Sequence, residues 1–366
     1  MGNRNLKEIA VLRSIVMLMV ITIHFLNLPH VCLQMGSYGQ GFYVIWRAML
    51  VCAVPCFMFL SMMMVSYHAK EKEGFDTMKF FKKRIYRIVI PYLAWSMIYL
   101  AFYYVVHRYT KEDFAKASNW IYWLGYGKAN DHLYFMMIMC QFYLLTPLLY
   151  PLAKRYQNSL GIALAVGLLP QVAIYWLNRL YIHQVYPLFT SSFAWYWCIG
   201  FLGLWFGFEY EKNIAFFKKH CKVIVALNAI SFGIHFFYSN KLWHQLWEKI
   251  SFDTFPYTVN MYSYMLLCIV SLLLFAMKVS DSEKDGFQNK INGFLNEVSK
   301  YSYGIYLMHP LFMFVLRKKL TISNPYLWLP IILVTVPMLT YLCGVITKYG
   351  EKLPVVSYAF GVSRKK

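Results

Sequence analysis

Charge is what this 366-residue sequence has least of. Only 14% of its residues are Asp, Glu, Lys or Arg, against roughly 25% in an average soluble domain, so the chain lacks the polar surface that a water-soluble fold needs. Acidic residues are the scarcer sign, 16 against 36 Lys and Arg. No Asp or Glu falls inside any apolar stretch, although proton- or sodium-coupled transporters usually keep a carboxylate there. The eight cysteines, from Cys32 to Cys343, include no Cys-x-x-Cys pair. That argues against a disulfide framework or a metal site, and they read as small buried apolar side chains. No glycine-rich nucleotide loop is present, which excludes an ATP-driven pump of the usual kind. Internal repeats and low-complexity segments are absent too.

What the sequence has instead is hydrophobicity, at 59% of all residues. Apolar runs of about 20 residues, long enough to cross a bilayer, recur along its length. The expected fold is an all-α polytopic membrane protein with about ten spans, near 9–28, 42–67, 85–106, 132–152, 160–180, 186–208, 221–239, 257–278, 302–317 and 325–347. The first is not a cleaved signal peptide, because an arginine interrupts it and no small-residue cleavage site follows. With no long soluble segment left over, residues 1–366 are read as one integral-membrane domain. The polar stretch Asp281–Asn296 is read as a surface loop.

The net charge of +20 would suggest nucleic acid in a soluble protein. Here it follows from the excess of Lys and Arg in cytoplasmic loops. Placing both termini in the cytoplasm puts 25 of the 36 basic residues on that side, and Arg317, Lys318 and Lys319 are the exception. The longest outer loop, 107–131, mixes charge with Trp120, Tyr122, Trp123 and Tyr126. Its aromatics are either part of the interfacial belt or a platform for carbohydrate.

Ionisable side chains within a bilayer are costly and mark function by default. In the first span Arg13 and His24 stand eleven residues apart, some 20° beyond three full turns of an α-helix and about 16 Å along its axis. One face thus carries a permanent cation near the cytoplasmic boundary and a titratable imidazole deeper in. Arg13 could instead snorkel to headgroups, and His24 could be a satisfied core histidine. The ninth span carries His309, followed by Pro310, which releases a backbone carbonyl in the preceding turn. His309 is either a partner of His24 in the bundle or a packing histidine. The segment FKKRIYRIVIPYLAW leads a basic cluster into the third span. Arg84 and Arg87, three residues apart, share a helical face and suit phosphate, though such a cluster is more often only a positive-inside stop. His132 opens the fourth span, a weak signal alone. Arg47 and Arg179 read as interfacial anchors.

Taken together, these residues resemble the acyltransferase-3 family of bacterial integral-membrane acyltransferases. Arg13 and His24 fit the family's arginine, ten residues, histidine spacing. Arg84, Arg87, Pro91 and Tyr92 fit its run into the third span; His132-Leu133-Tyr134-Phe135 fits a His-Leu-Trp-Phe element; and Ser302 through Pro310 fits the Ser-Tyr-Gly-Ile-Tyr-Leu-x-His-Pro element. Two departures stand out: Ser61-Met62 replaces a Ser-Gly pair, and Tyr134 replaces tryptophan. The RIVIPYL and MIMCQFYLL segments look similar to the intercellular adhesion protein C group, associated with acylation of the biofilm polymer poly-β-1,6-N-acetylglucosamine.

The resemblance implies an O-acyltransferase that takes acetyl or succinyl from cytoplasmic acyl-CoA and places it on a sugar hydroxyl of a surface glycan or exopolysaccharide. It implies no permanently bound cofactor and no metal. The partners it implies are the bilayer, the glycan and a polysaccharide synthase complex, with no nucleic acid. By the same resemblance His24, Arg13 and His309 form the catalytic group. Arg84, Arg87, Tyr92, Ser302 and Tyr303 are expected to bind acyl-CoA, and His132 and Tyr134 to meet the acceptor. His24 would act as a general base or as the carrier of an acyl-imidazole; either needs a neutral ring. The rival readings are a polysaccharide or lipid-linked sugar exporter, and a structural subunit of a synthase.

Overall fold

In a computed structural model, residues 6–70, 75–249, 251–281 and 286–362 are described. Among them helix is the only regular structure. Hydrocarbon offers the backbone no hydrogen-bond partner, and a helix meets that constraint within a single segment. The principal helices are α1 (Lys7–Phe25), α2 (Tyr38–Met49), α3 (Ala53–Lys70), α4 (Thr77–Arg84), α5 (Ile90–Val105), α6 (Tyr134–Arg155), α7 (Leu160–Leu177), α8 (Trp197–Phe208), α9 (Tyr210–Lys219), α10 (Cys221–Glu248), α11 (Phe255–Asp281), α12 (Gly286–Lys319) and α13 (Pro325–Gly350). Helix starts that reach the polar zone carry side-chain caps. Ser37 accepts from the Gln40 N–H, Asp76 from Lys79 and Ser159 from Ile162, each satisfying a donor that has no partner within its helix.

Among the described residues, eight helical segments are long and apolar enough to span a membrane. They coincide with the expected spans except two. The 186–208 segment shortens to the apolar stretch Phe193–Phe208. The 302–317 segment is the apolar part of the 34-residue α12, bracketed by Lys300 and Arg317. The stretch 281–296, expected as a loop, runs from the end of α11 into the first turns of α12, with 282–285 outside the described residues. Parts of the basic segments used for sidedness, 1–5, 71–74 and 363–366, also lie outside them. Glu8, at the edge of the first span, is buried in the first turn of α1, where the positive end of the helix dipole favours a carboxylate.

The chain forms two compact units, each drawn from separated stretches of sequence. One comprises Met1–Phe57 and Lys212–Thr347, the other Met58–Glu211 and Lys348–Lys366. In the first, α1 packs along α12 and α11, while α10 packs on α11 and α2. Leu12, Val16, Ile21, Phe25, Ile305 and Leu307 form its apolar seam. Ser14 fixes the register of α1 on α12, its hydroxyl lying between the carbonyls of Ala10 and Leu295.

In the second unit α8 is the hub, buried at every position from Cys198 to Phe208. Between apolar helices in lipid, close backbone approach depends on small residues at the contact. Here Gly203 faces the Phe59 backbone and Gly207 the Met63 carbonyl; a Cβ at Gly207 would sit 2.1 Å from Met63 O and 2.3 Å from Ser66 Oγ. Replacing Gly207 by Ala must therefore push α8 from α3. Overpacking of this kind costs about 1–3 kcal/mol, so Gly207→Ala is expected to lower the thermal midpoint in detergent, read by scanning fluorimetry. Gly161→Ala, where a Cβ meets nothing within 4 Å, should leave it unchanged.

Candidate active site

The first unit brings together three of the residues singled out in the sequence. Arg13 and His24 stand on the unbroken α-helix α1, so the spacing argument for a shared face holds over its whole length. His309, on α12, is fully buried, and its ring meets that of His24 with centroids 5.0 Å apart at 57°. The Tyr306 ring lies 6.1 Å from it, one turn earlier. His24 and Arg13 are half-buried.

The protonation pattern of His309 follows from its neighbours. Nδ1 lies 3.1 Å from the Ile305 carbonyl, which can only accept, so Nδ1 carries the hydrogen and Nε2 the lone pair of the neutral ring. A ring held this way keeps Nε2 as its acceptor nitrogen. Pro310 has no N–H, so the Tyr306 carbonyl loses its helical donor, adding an acceptor one turn from the imidazoles. Among the described residues no carboxylate lies within ion-pair distance of Arg13. Ser302 and Tyr303 lie two turns before His309 on α12; Ser302 donates its hydroxyl to the Ser299 carbonyl at 2.9 Å and is buried.

The second unit holds the other predicted residues, in a different arrangement from the one expected. A π-helical turn, Ile85–Val89, separates α4 from α5. Its wider winding breaks the α-helical spacing that was to align Arg84 with Arg87. Arg84 turns inward, its guanidinium 4.3 Å from the Tyr143 ring centroid and 5.0 Å from that of Phe80, with Nε buried and without a hydrogen-bond partner among the described residues. Arg87 is exposed. Tyr92 is buried, and its hydroxyl donates to the Leu124 carbonyl at 2.6 Å, tying α5 to the turn Ile121–Gly125.

His132 is buried and edge-on to Tyr99. Its Nδ1 lies 2.9 Å from Asn130 Oδ1, while Asn130 Nδ2 donates to the Tyr103 hydroxyl at 2.7 Å. With Asn130 Oδ1 facing it as an acceptor, His132 Nδ1 is the donor. Tyr134 is half-buried, with Lys128 Nζ 5.7 Å from its ring centroid. The sequence did not single out Asn130 and Tyr103; the only signal was their nearness in the chain to His132 and to the polar end of α5.

The aromatics of the 107–131 segment mostly pack on one another. Trp123 is 2% exposed among Tyr109, Phe114 and Trp120. That leaves Tyr122, exposed, as the open ring of the group. Arg179 donates to the Tyr175 hydroxyl and Arg47 is exposed, in keeping with anchoring roles.

A family model described as an acyltransferase domain, Acyl_transf_3, matches residues 6–348. Curated relatives include a protein of Staphylococcus aureus (strain MRSA252) named probable poly-beta-1,6-N-acetyl-D-glucosamine export protein. It is 24% identical over 318 residues, covering 84% of this chain and 82% of the relative. A Staphylococcus epidermidis protein of the same name is 25% identical over 320 residues, covering 85% and 82%. No solved structure is significantly similar.

The geometry gives Tyr92 a holding role that can be tested. Tyr92→Phe leaves the half-buried Leu124 carbonyl without its donor, at a cost of about 0.5–1.5 kcal/mol, and is expected to lower the thermal midpoint. An unchanged midpoint would show that the hydroxyl does not hold the turn.

Proposed function

The chain belongs to the acyltransferase family Acyl_transf_3, and on that premise we propose that it moves an acyl group from cytoplasmic acyl-CoA to a hydroxyl of a cell-surface or exopolysaccharide sugar. It is a multi-pass bacterial membrane protein. The observation that carries the reading is the imidazole pair, His24 against His309, on a helix that also presents Arg13.

In this reaction the sugar oxygen attacks the thioester carbonyl as its proton passes to His24. The carbon–sulfur bond then breaks, and the proton moves to the leaving sulfur to give free CoA thiol and a sugar ester. One neutral imidazole suffices as general base. The second ring hands on the proton or hydrogen-bonds the carbonyl oxygen. Arg13 holds the anionic or polar end of the donor. Arg84 and Arg87 bind donor phosphates, Arg84 from its aromatic seat and Arg87 from the surface. Tyr92, Ser302 and Tyr303 shape the donor's surroundings, and His132 and Tyr134 meet the acceptor. Both termini are placed in the cytoplasm by the positive-inside rule.

Export of the polymer is the second reading, and the printed names of the staphylococcal relatives favour it. Ester content separates the two. In a deletion strain of the host, wild-type protein should restore base-labile esters on the surface polysaccharide, read by proton NMR before and after mild alkali. Equally expressed His24→Ala should leave ester below a few per cent of wild type while polymer still reaches the surface. Esters that persist with His24→Ala, or polymer retained inside the deletion strain with its esters intact, would replace the transferase with an exporter.

A further inference from the structure

In the first unit α10 is built inside out for a soluble protein and correctly for a membrane, with one unusual feature. Its outward face is apolar, with Val223, Leu227, Ile230 and Phe237 exposed. Its buried face is polar. Asn228, Ser231, His235, Ser239 and Trp243 recur at intervals of three and four residues, within about 120° of the helix circumference. His235 is 0% exposed, Ser239 3% and Trp243 6%.

Only part of this stripe is matched by its neighbours. Ser231 and Asn260 of α11 bond reciprocally, Ser231 Oγ to Asn260 Oδ1 and Asn260 Nδ2 to the Ser231 carbonyl, both at 3.2 Å. His235 is stacked between Tyr257 and Tyr264, at 5.4 and 4.8 Å. It donates from Nε2 to the Ala48 carbonyl at 3.2 Å, leaving Nδ1 as the lone-pair nitrogen. Four buried atoms on the stripe have no hydrogen-bond partner among the described residues: Asn228 Oδ1, His235 Nδ1, Ser239 Oγ and Trp243 Nε1. They extend over about 22 Å of helix.

A second observation marks the same place. Ala48 and Met49 end α2, and helix resumes only at Ala53, although residues 38–69 form one apolar span. The Ala48 carbonyl, which also accepts from the Val51 N–H, accepts from His235 Nε2, and the Met49 carbonyl accepts from the Tyr264 hydroxyl at 2.8 Å. A backbone break at membrane depth is tolerated only where protein buries it or where it lines a hydrated cavity. Broken helices recur at ligand sites within bilayers. Buried polar atoms without protein partners are normally met by water.

We propose that the polar face of α10, opposite the α2–α3 break and α11, is a hydroxyl-binding seam, distinct from the His24–His309 pair. Its free groups are neutral and mixed: acceptors at Asn228 and His235, a donor at Trp243, and a hydroxyl that does both at Ser239. That set suits neutral O–H groups, those of ordered water or of a glycan, and it offers no fixed charge to an ion. Nothing in it depends on the acyl-transfer chemistry.

Hydroxyl-radical footprinting of the full-length protein in detergent, read by mass spectrometry, tests the seam, because radicals form where water is held. His235, Tyr264 and Trp243 should be modified at least tenfold faster than Trp328, which is fully buried. A Ser239→Ala, His235→Phe double variant should reduce modification of Tyr264 toward that of Trp328. Protection by a soluble N-acetylglucosamine oligomer would assign the seam to glycan hydroxyls; absence of protection would assign it to water. Modification of His235, Tyr264 and Trp243 no faster than Trp328 would overturn the proposal.

Discussion

The packing of α1 along α12 is the contact on which the proposed chemistry rests. Between two helices in lipid the hydrophobic effect offers little preference, so register must come from steric fit and from a few polar contacts. Ser14, wedged between the Ala10 and Leu295 carbonyls, supplies one such contact. The His24–His309 ring contact supplies another further along the same seam. The apolar positions between them, Val16, Met17 and Ile21, are almost fully buried. An error of one residue in this register would turn the two imidazoles apart by about 100°, so the packing and the site are one feature.

Both units spend their few polar groups in small sets. In the second unit Tyr103, Asn130 and His132 form a hydrogen-bonded chain, and Tyr92 ties a loop to its helix. In the first, the two imidazoles and Arg13 share one seam, while α10 turns a polar stripe inward. Such groups stabilise a single arrangement when matched and are costly when not. Their placement on the inner faces of helices, with apolar residues outward, follows from lipid being the solvent. The π-helical turn at Ile85–Val89 belongs to the same pattern. It sits between a basic segment and an apolar one, and Arg84 just before it lies against the rings of Phe80 and Tyr143.

Much of this was legible in the sequence because a bilayer constrains the chain so strongly. Apolar length gave the spans, and the eleven-residue spacing of Arg13 and His24 needed only an unbroken helix to hold. The meeting of His24 with His309 was legible as an expectation from two intramembrane histidines. Other features were not. A π turn leaves no periodic signature, so Arg84 and Arg87 read as a pair when one is seated on aromatic rings and the other is exposed. The helical start of α12 was hidden by its polar composition, because periodicity weakens as charge rises. Tyr92 read as part of a motif, and its hydroxyl bond to Leu124 depends on a loop fold that no local pattern encodes. His235 was readable, since it lies within the seventh span, but its meaning comes from the break after Met49, which sits inside an apolar run that looks continuous.

The most direct test of the central claim is made on the purified protein in proteoliposomes, with acyl-CoA and a soluble sugar acceptor, by following release of free CoA thiol and sugar ester together. Wild-type protein is expected to release the two in equal amounts. His24→Ala and His309→Ala, folded as judged by an unchanged thermal midpoint, should each release less than a hundredth as much. Release at the wild-type rate from both variants would contradict the assignment of the imidazole pair as the centre of acyl transfer.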